Sequence, residues 1–308
     1  MPHQIVVLSG KGGTGKTTLT GAFAALAGDA VLVDCDVDAP DLHLLLAPEG
    51  GEPQPFVGGV LPRIDAERCR RCGRCVGVCA FRALARDSSG AIVVDEVACE
   101  GCGLCAEVCA PHAIAMEDAV TGWWRRSRTR FGEMFHARMR PGAENSGKLV
   151  SLLRREAVEH ARAQGRSMVL ADGPPGIGCP VIASLSGADH VVVITEPTVA
   201  GVHDLRRLLS LACHFDVPGS VVVNKYDLNE SVAEEVERVA ASLGYEPAGR
   251  LPYDRRFTGA QIQGLTVPEA GPPELADRLR EIWETVRHRI ETPREAERRR
   301  LVLRPVAG

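Results

Sequence analysis

The stretch from Gln4 to Gly28 constrains the fold more tightly than any other part of the chain. Gln4 to Leu8 (QIVVL) has the unbroken apolar content of a short buried strand, SGKGGTGKTT follows without a spacer, and LTGAFAALAG carries small and apolar residues at helical spacing. Gly10 to Thr17 (GKGGTGKT) satisfies the pattern of a glycine, four residues, then Gly-Lys-Thr. Its glycines let backbone N–H groups turn inward on an anion, and the helix start adds a partial positive charge. The pattern places Gly10, Lys11, Gly12, Gly13, Thr14, Gly15 and Thr18 around phosphates, with Lys16 on the terminal ones and the Thr17 hydroxyl on Mg²⁺. The expected fold class is α/β, with a doubly wound, mostly parallel sheet.

Composition sharpens this reading. Only four of the 36 basic residues are lysines, Lys11, Lys16, Lys148 and Lys225. Arginine serves wherever a solvated positive charge suffices, so the remaining lysines mark places where a compact ammonium is wanted. Two of them fall in the glycine loop. A net charge of −4 over 308 residues, with 45% hydrophobic content, describes a soluble globular chain and speaks against a polyanion-coating role. Eleven cysteines without a visible export leader or membrane-length apolar run predict a cytoplasmic, reducing location, where clustered cysteines are metal ligands.

Further strands carry further polar groups. Ala30 to Val33 delivers DCDVDAPDLHLLL, and strand alternation puts Asp34, Asp36 and Asp38 on one face if the strand continues that far. With Asp41 these are four acids without a basic partner, tolerable beside Mg²⁺ and ordered water. Ser167 to Ala171 ends in Asp172 before the turn GPPGIGCP, and HVVVITEPT and SVVVNKYD supply two more strands. Asn224-Lys225-Tyr226-Asp227 matches N-K-x-D, the guanine-reading signature of many GTPases, which keeps GTP open on motif grounds.

Between these strands lies an internal repeat. Cys69, Cys72, Cys75 and Cys79 form C-x₂-C-x₂-C-x₃-C, and Cys99, Cys102, Cys105 and Cys109 repeat it thirty residues later. This is iron–sulfur spacing: three thiolates of one loop hold three corners of a cubane and the fourth cysteine ligates the other cluster. The expected sets are Cys69, Cys72, Cys75 with Cys109, and Cys99, Cys102, Cys105 with Cys79. Zinc ribbons use paired C-x₂-C units instead.

Lys11, directly after the first glycine, makes the loop resemble the deviant Walker A of the MinD, Mrp and nitrogenase iron protein superfamily. The resemblance implies an ATP-dependent homodimer in which Lys11 reaches the partner subunit's nucleotide. It also implies that Asp36 is the switch I residue positioning the attacking water, and that Asp172 is the switch II residue reaching Mg²⁺ through water. Asn224 would face adenine, Lys225 would pack beside the nucleotide, and the backbone near Leu251 and Pro252 would close over the base, so the resemblance favours ATP. Residues 62–118 resemble a bacterial two-cluster ferredoxin, although Ala80 and the late Pro111 depart from the usual proline after the fourth cysteine.

The implied division is 1–61 with 119–290 as a discontinuous ATPase domain, 62–118 as an inserted α+β ferredoxin-like domain, and 291–308 as an arginine-rich tail. Residues 121–140 are expected to form a hairpin turning near Gly132-Glu133, and a helix capped by Asn145 or Ser146 places Lys148 in its first turn, where it suggests an anionic partner. Cys213 is expected in a helix core. Cys179 follows the switch II loop near where the nitrogenase iron protein places a cluster-bearing cysteine. The last helix, from Pro272, shows only a short apolar face, which speaks against membrane attachment, and nucleic acid is not expected as a partner. The functional expectation is an ATP-hydrolysing iron–sulfur protein in which dimer closure gates electron transfer through two [4Fe–4S] clusters to an unidentified redox or cluster-accepting protein. A maturation or carrier ATPase and a MinD-type positioning ATPase are the alternatives.

Overall fold

The computed structural model describes residues 1–143 and 145–292, so the tail expected at 291–308 lies almost entirely outside the described residues. Its strands are β1 (His3–Ser9), β2 (Ala30–Asp34), β3 (Gln54–Ile64), β4 (Leu84–Arg86), β5 (Ile92–Val94), β6 (Ile114–Thr129), β7 (Gly132–Met139), β8 (Met168–Pro175), β9 (His190–Thr195), β10 (Gly219–Asn224) and β11 (Glu246–Leu251). Nine of them form one sheet in the order β11-β10-β9-β1-β8-β2-β7-β6-β3. From β11 to β7 the neighbours are parallel, and β6 and β3 are added antiparallel at one edge.

The sheet is covered on both faces, as its unbroken apolar strands require. Along β1, Val6 and Leu8 enter a core with the Ser146–Ala163, Val199–His214 and Glu230–Ser242 helices, through Leu149, Leu153, Leu205, Leu208 and Val236. Ile5 and Val7 point the other way, into a core with the Lys16–Ala27 and Pro273–Glu291 helices. This is the expected doubly wound α/β arrangement. Because β1 lies between β8 and β9, their carboxyl ends form the crevice where such sheets bind ligands.

Three local expectations are corrected. The last helix buries Leu275, Leu279, Ile282, Trp283, Val286 and Ile290, so its apolar stripe runs nearly its full length. That stripe faces the core, with the Trp283 ring 4.9 Å from that of Phe23 on the phosphate-loop helix. No described helix is long and apolar enough to cross a membrane. Cys213 is exposed, because the inward stripe of its helix runs through Leu205, Leu208, Leu209 and Ala212, and position 213 lies about 100° further round. The hairpin pairs Thr129 with Gly132 and turns at Arg130-Phe131, two residues before the expected place, because the Thr129 hydroxyl donates to Gly132 O and accepts the Phe131 N–H.

β6 also begins earlier than expected. It pairs with β3 from Gln54↔Trp124 to Ile64↔Ile114, and these strands run unbroken through residues 62 and 118 before leading into the cysteine-bearing segment.

Candidate functional site

Gly13 (φ 78°) and Gly15 (φ 93°) take the left-handed backbone that folds the loop. A Cβ on Gly15 would also stand 2.6 Å from Asn224 Nδ2. Lys16 starts the helix, is buried, and meets three carboxylates. Its Nζ lies 3.1 Å from Asp172 Oδ1 and 3.7 Å from Asp36 Oδ2. Burial alone would lower the Lys16 pKa, but Asp172, Asp36 and Asp34 together raise it, so the ammonium stays charged.

Asp172, at the end of β8, gathers the site. Its Oδ2 accepts from Thr17 Oγ1 at 2.7 Å and its Oδ1 from Thr20 Oγ1 at 2.8 Å. Asp34 sits beside it in register, fully buried, accepting the N–H groups of Asp36 (3.1 Å) and Leu42 (3.2 Å). Burial and the Asp172 carboxylate push the Asp34 pKa well up, against the pull of the Lys16 ammonium. Burial, with Asp172 close by, also raises Asp36 against the pull of Lys16.

The structure corrects the expected acidic face. β2 stops at Asp34, where the Asp36 N–H turns back onto the Asp34 carboxylate, so Asp38 and Asp41 point to solvent and only Asp34 and Asp36 join the site. The acids also have a basic partner after all, in Lys16.

Sequence reasoning missed Glu196. Following β9, it takes Lys11 Nζ on Oε2 at 3.1 Å and Lys225 Nζ on Oε1 at 2.5 Å. Partial burial would raise its pKa, but the two ammonium groups hold it below the usual carboxylate range. Two of the four lysines thus converge on one carboxylate; the acid after a strand bearing neither motif gave no signal of its own. Thr20 was also missed, although it lies one helical turn beyond Lys16 on the same face.

Asn224 is tied down from both ends: Nδ2 donates to Thr14 O at 2.8 Å and Oδ1 accepts the Lys225 N–H at 3.0 Å. Beside it opens a cleft of about 190 Å³ bordered by Gly15, Thr18, Asn224, Leu251, Pro252 and Tyr253. The expected base-contacting residues are brought together there with the phosphate loop. Asp227 Oδ1, by contrast, accepts the Tyr253 N–H at 2.7 Å and is committed to holding this turn.

The family model of the CobQ/CobB/MinD/ParA nucleotide binding domain matches residues 5–267. The chain belongs to this family. A 33% identical relative, an uncharacterized protein of Methanocaldococcus jannaschii, aligns over 73% of this chain and 79% of its own length. An iron-sulfur cluster carrier protein of the same organism is 22% identical over 85% of this chain and 77% of its own. The septum site-determining protein MinD of Pyrococcus horikoshii, solved with Mg-ADP, superposes with a TM-score of 0.56 at 15% identity, covering 92% of this chain and 95% of its own, a likeness of fold.

Between β3 and β6 lies the cysteine-bearing segment, whose two halves repeat each other in detail. Gly73 and Gly103 each have φ 78°, before the short Arg74–Val78 and Leu104–Glu107 helices. Ala83 N–H donates to Cys79 Sγ at 3.4 Å and Ala113 N–H to Cys109 Sγ at 3.3 Å. The halves are also exchanged: Asp65 N–H donates to Ala113 O at 2.8 Å and Asp95 N–H to Ala83 O at 2.7 Å. Each fourth cysteine is therefore tied to the start of the other half's loop.

Cys75 and Cys105 are buried with Leu84, Ile92 and Ile114, and Cys69, Cys79 and Cys109 pack against them. Burial raises the Cys75 and Cys105 pKa values, and the neighbouring thiols add to this, Cys69 and Cys72 for one and Cys99 and Cys102 for the other. Among the described residues no three His, Cys, Asp or Glu side chains are already grouped as ligands of one metal ion. The donor set is nonetheless all sulfur, backed by N–H donors and an apolar cover, which is the chemistry an iron–sulfur cluster takes.

The two open residues of the sequence lie on adjoining helix starts. A Cβ on Gly147 would lie 3.2 Å from Cys179 O, so Cys179, exposed after the Asp172 loop, abuts the helix start that carries Lys148. Asn145 occupies the cap position without a side-chain capping bond and donates instead to Gly58 O at 2.6 Å. Lys148 is exposed and makes no ion pair among the described residues.

Proposed function

We propose that the chain binds and hydrolyses ATP as a homodimer and that dimer closure gates one-electron transfer through two [4Fe–4S] clusters held by the insert. The observation that carries the reading is the joining, in one chain, of the Lys16–Asp172–Asp36 site to an insert with two exchanged cysteine halves. The phosphate loop would bind the triphosphate and Lys16 would neutralise its terminal charge. Thr17 and Asp172 would hold Mg²⁺, which adds positive charge beside the raised Asp34, and Asp36 would orient the attacking water. Two facts support adenine over guanine: Asn224 is turned onto the phosphate loop, and Asp227, the acid of the N-K-x-D pattern, is occupied by Tyr253.

In the insert, Cys69, Cys72, Cys75 and Cys109 would hold one cluster and Cys99, Cys102, Cys105 and Cys79 the other. When bound, the clusters supply one-electron storage at low potential. The cluster carrier relative favours a second reading in which clusters are cargo. Four protein ligands for each cluster weigh against it, since a fully ligated cluster leaves no site for an acceptor's thiolate.

Lys11 tests the dimer. Lys11→Arg is expected to abolish ATP hydrolysis while leaving iron content intact, because a planar fork does not replace a compact ammonium crossing to the partner's phosphates. Unchanged phosphate release in that variant would remove the dimer argument. Glu196 competes for the same ammonium. Its exposed ion pair with Lys11 is worth at most about 1 kcal/mol. Glu196→Gln is therefore expected to tighten ATP-dependent dimerisation about twofold to fivefold by sedimentation; weaker dimerisation would mean that Glu196 positions Lys11 productively instead.

A further inference from the structure

The two halves of the insert share spacing and backbone and differ in charge. From Arg68 to Arg86 the first half carries six arginines, Arg68, Arg70, Arg71, Arg74, Arg82 and Arg86, and no carboxylate. The equivalent stretch 98–116 carries Glu100 and Glu107 and neither arginine nor lysine. At the chain's overall arginine frequency, nineteen residues would hold about two, so the coding preference for arginine does not account for six. All six are exposed, and none makes an ion pair among the described residues.

The charge is gathered around Cys72, one of the two exposed cysteines of the repeat, and not around the other, Cys102. Arg71 Nη1 reaches Ser89 O at 3.1 Å, and the Arg86 guanidinium lies over Gly73, 2.4 Å from where a Cβ would stand. Both flank the Cys72-Gly73 turn, next to Arg70 and Arg74 in the chain. Asp65, Glu67 and Asp87 flank the stretch, and the Asp87 carboxylate feels Arg71, but the six guanidinium groups outnumber them, and such a patch focuses attraction on an anionic partner.

The halves differ as well in what lies against them. The second half is seated on the sheet extension: Arg140 Nη2 meets Glu96 Oε2 at 3.0 Å, and a Cβ on Gly101 would stand 2.6 Å from Val60 O. Arg68 and Arg71 donate within the insert itself, to Pro111 O and Ser89 O. Both halves keep an exposed second cysteine, Cys72 and Cys102, and they differ in that the first half presents arginines around it while the second is also anchored to the sheet extension.

We infer that the arginine face around Cys72 is the docking surface for a small acidic one-electron carrier protein, which exchanges electrons with the insert through its first half. The inference rests on the cluster reading above. In each transfer the reduced carrier loses one electron and the first-half centre gains one; no bond forms or breaks and no proton moves. A protein partner fits better than a polyanion because the patch covers one redox loop of a chain whose net charge is −4.

The test uses the full cluster-bearing chain with a strongly acidic plant-type two-iron ferredoxin as probe. Binding of the oxidised probe, and stopped-flow electron transfer from the reduced probe, are measured between about 0.05 and 0.5 M salt, a range that shortens the screening length severalfold. Both are expected to fall at least about tenfold over that range, and about tenfold at low salt in Arg70→Gln/Arg71→Gln/Arg74→Gln. Arg155→Gln/Arg278→Gln/Arg287→Gln, an equal change of charge elsewhere, is expected to leave both unchanged. Iron content is assayed in each variant, and if the first triple loses iron, Arg82→Gln/Arg86→Gln, which changes no residue within the cysteine run itself, gives the answer. Electron transfer insensitive to these arginines overturns the surface alone. Arginine-dependent binding without electron transfer, in protein with a full complement of iron, overturns the electron route, whereas a wild-type chain that holds no iron overturns the cluster reading itself. Tighter arginine-dependent binding of polyuridylate than of the ferredoxin identifies a nucleic-acid surface and overturns the inference.

Discussion

Asp172→Asn is expected to lower ATP hydrolysis by about a thousandfold while leaving the fold in place. The carboxylate holds Lys16 and Thr20 through one oxygen and Thr17 through the other. An amide keeps the shape and one acceptor, and the Thr17 hydroxyl can rotate to accept from the new NH₂ group. What it removes is negative charge where Mg²⁺ would bind, and the loss of one preorganised electrostatic group costs about 10²–10³ in rate. Stability is spared for a specific reason: Asp34 is buried beside Asp172, and burial together with the Asp172 carboxylate pushes the Asp34 pKa up. Neutralising one relieves the other, which offsets the charge taken from Lys16. Phosphate release and the denaturant midpoint are to be measured together. Equal loss of both would show that the Asp172 charge is needed to fold the chain and would undo its assignment to chemistry.

The second large effect is at Cys109. Cys109→Ser is expected to remove about half of the iron and acid-labile sulfide, since a serine hydroxyl is a far weaker thiolate substitute and each half would hold one of two cubanes. The exchange seen in the backbone, Asp65 N–H to Ala113 O and Asp95 N–H to Ala83 O, assigns the lost cluster to the Cys69, Cys72 and Cys75 loop. A double variant decides this. If Cys75 and Cys109 ligate the same cluster, Cys75→Ser/Cys109→Ser retains about half of the iron, as each single variant does. If Cys109 belongs with its sequence neighbours Cys99, Cys102 and Cys105, the double variant damages both clusters and loses nearly all of it.

Much of this arrangement was legible in the sequence because it is local. The glycine loop, the strand before it and the helix after it lie in one continuous stretch, and both cysteine runs state their own spacing. The strand-end aspartates could be read the same way: Asp172 terminates an apolar run, and only its partners Thr17 and Thr20 lie far off in the chain.

What escaped was whatever depends on parallel pairing between distant segments. Glu196 lies 185 positions after Lys11, and nothing in TEPT announces that β9 runs beside β1 and brings the two together. Asp34 is only two positions from Asp36 in sequence, yet one is buried against Asp172 and the other half-buried against Lys16, because the strand ends between them. Cys213 failed by phase: a small thiol in an apolar run fits either side of a helix stripe, and one position of slip turned it outward. The last helix was misjudged because its arginines and glutamates dominate the reading, while the seven buried apolar residues recur at helical spacing beneath them.

The central claim is that nucleotide state controls the electrons of the insert. It is tested most directly by an anaerobic titration of the reduced protein with ATP, ADP or no nucleotide, following cluster potentials and the rate of electron release to a one-electron acceptor. The account predicts that ATP shifts the potentials and changes the release rate, and that the effect disappears in Lys11→Arg, where closure fails with iron intact. Identical potentials and release rates in all three nucleotide states, in protein with a full complement of iron, would contradict it.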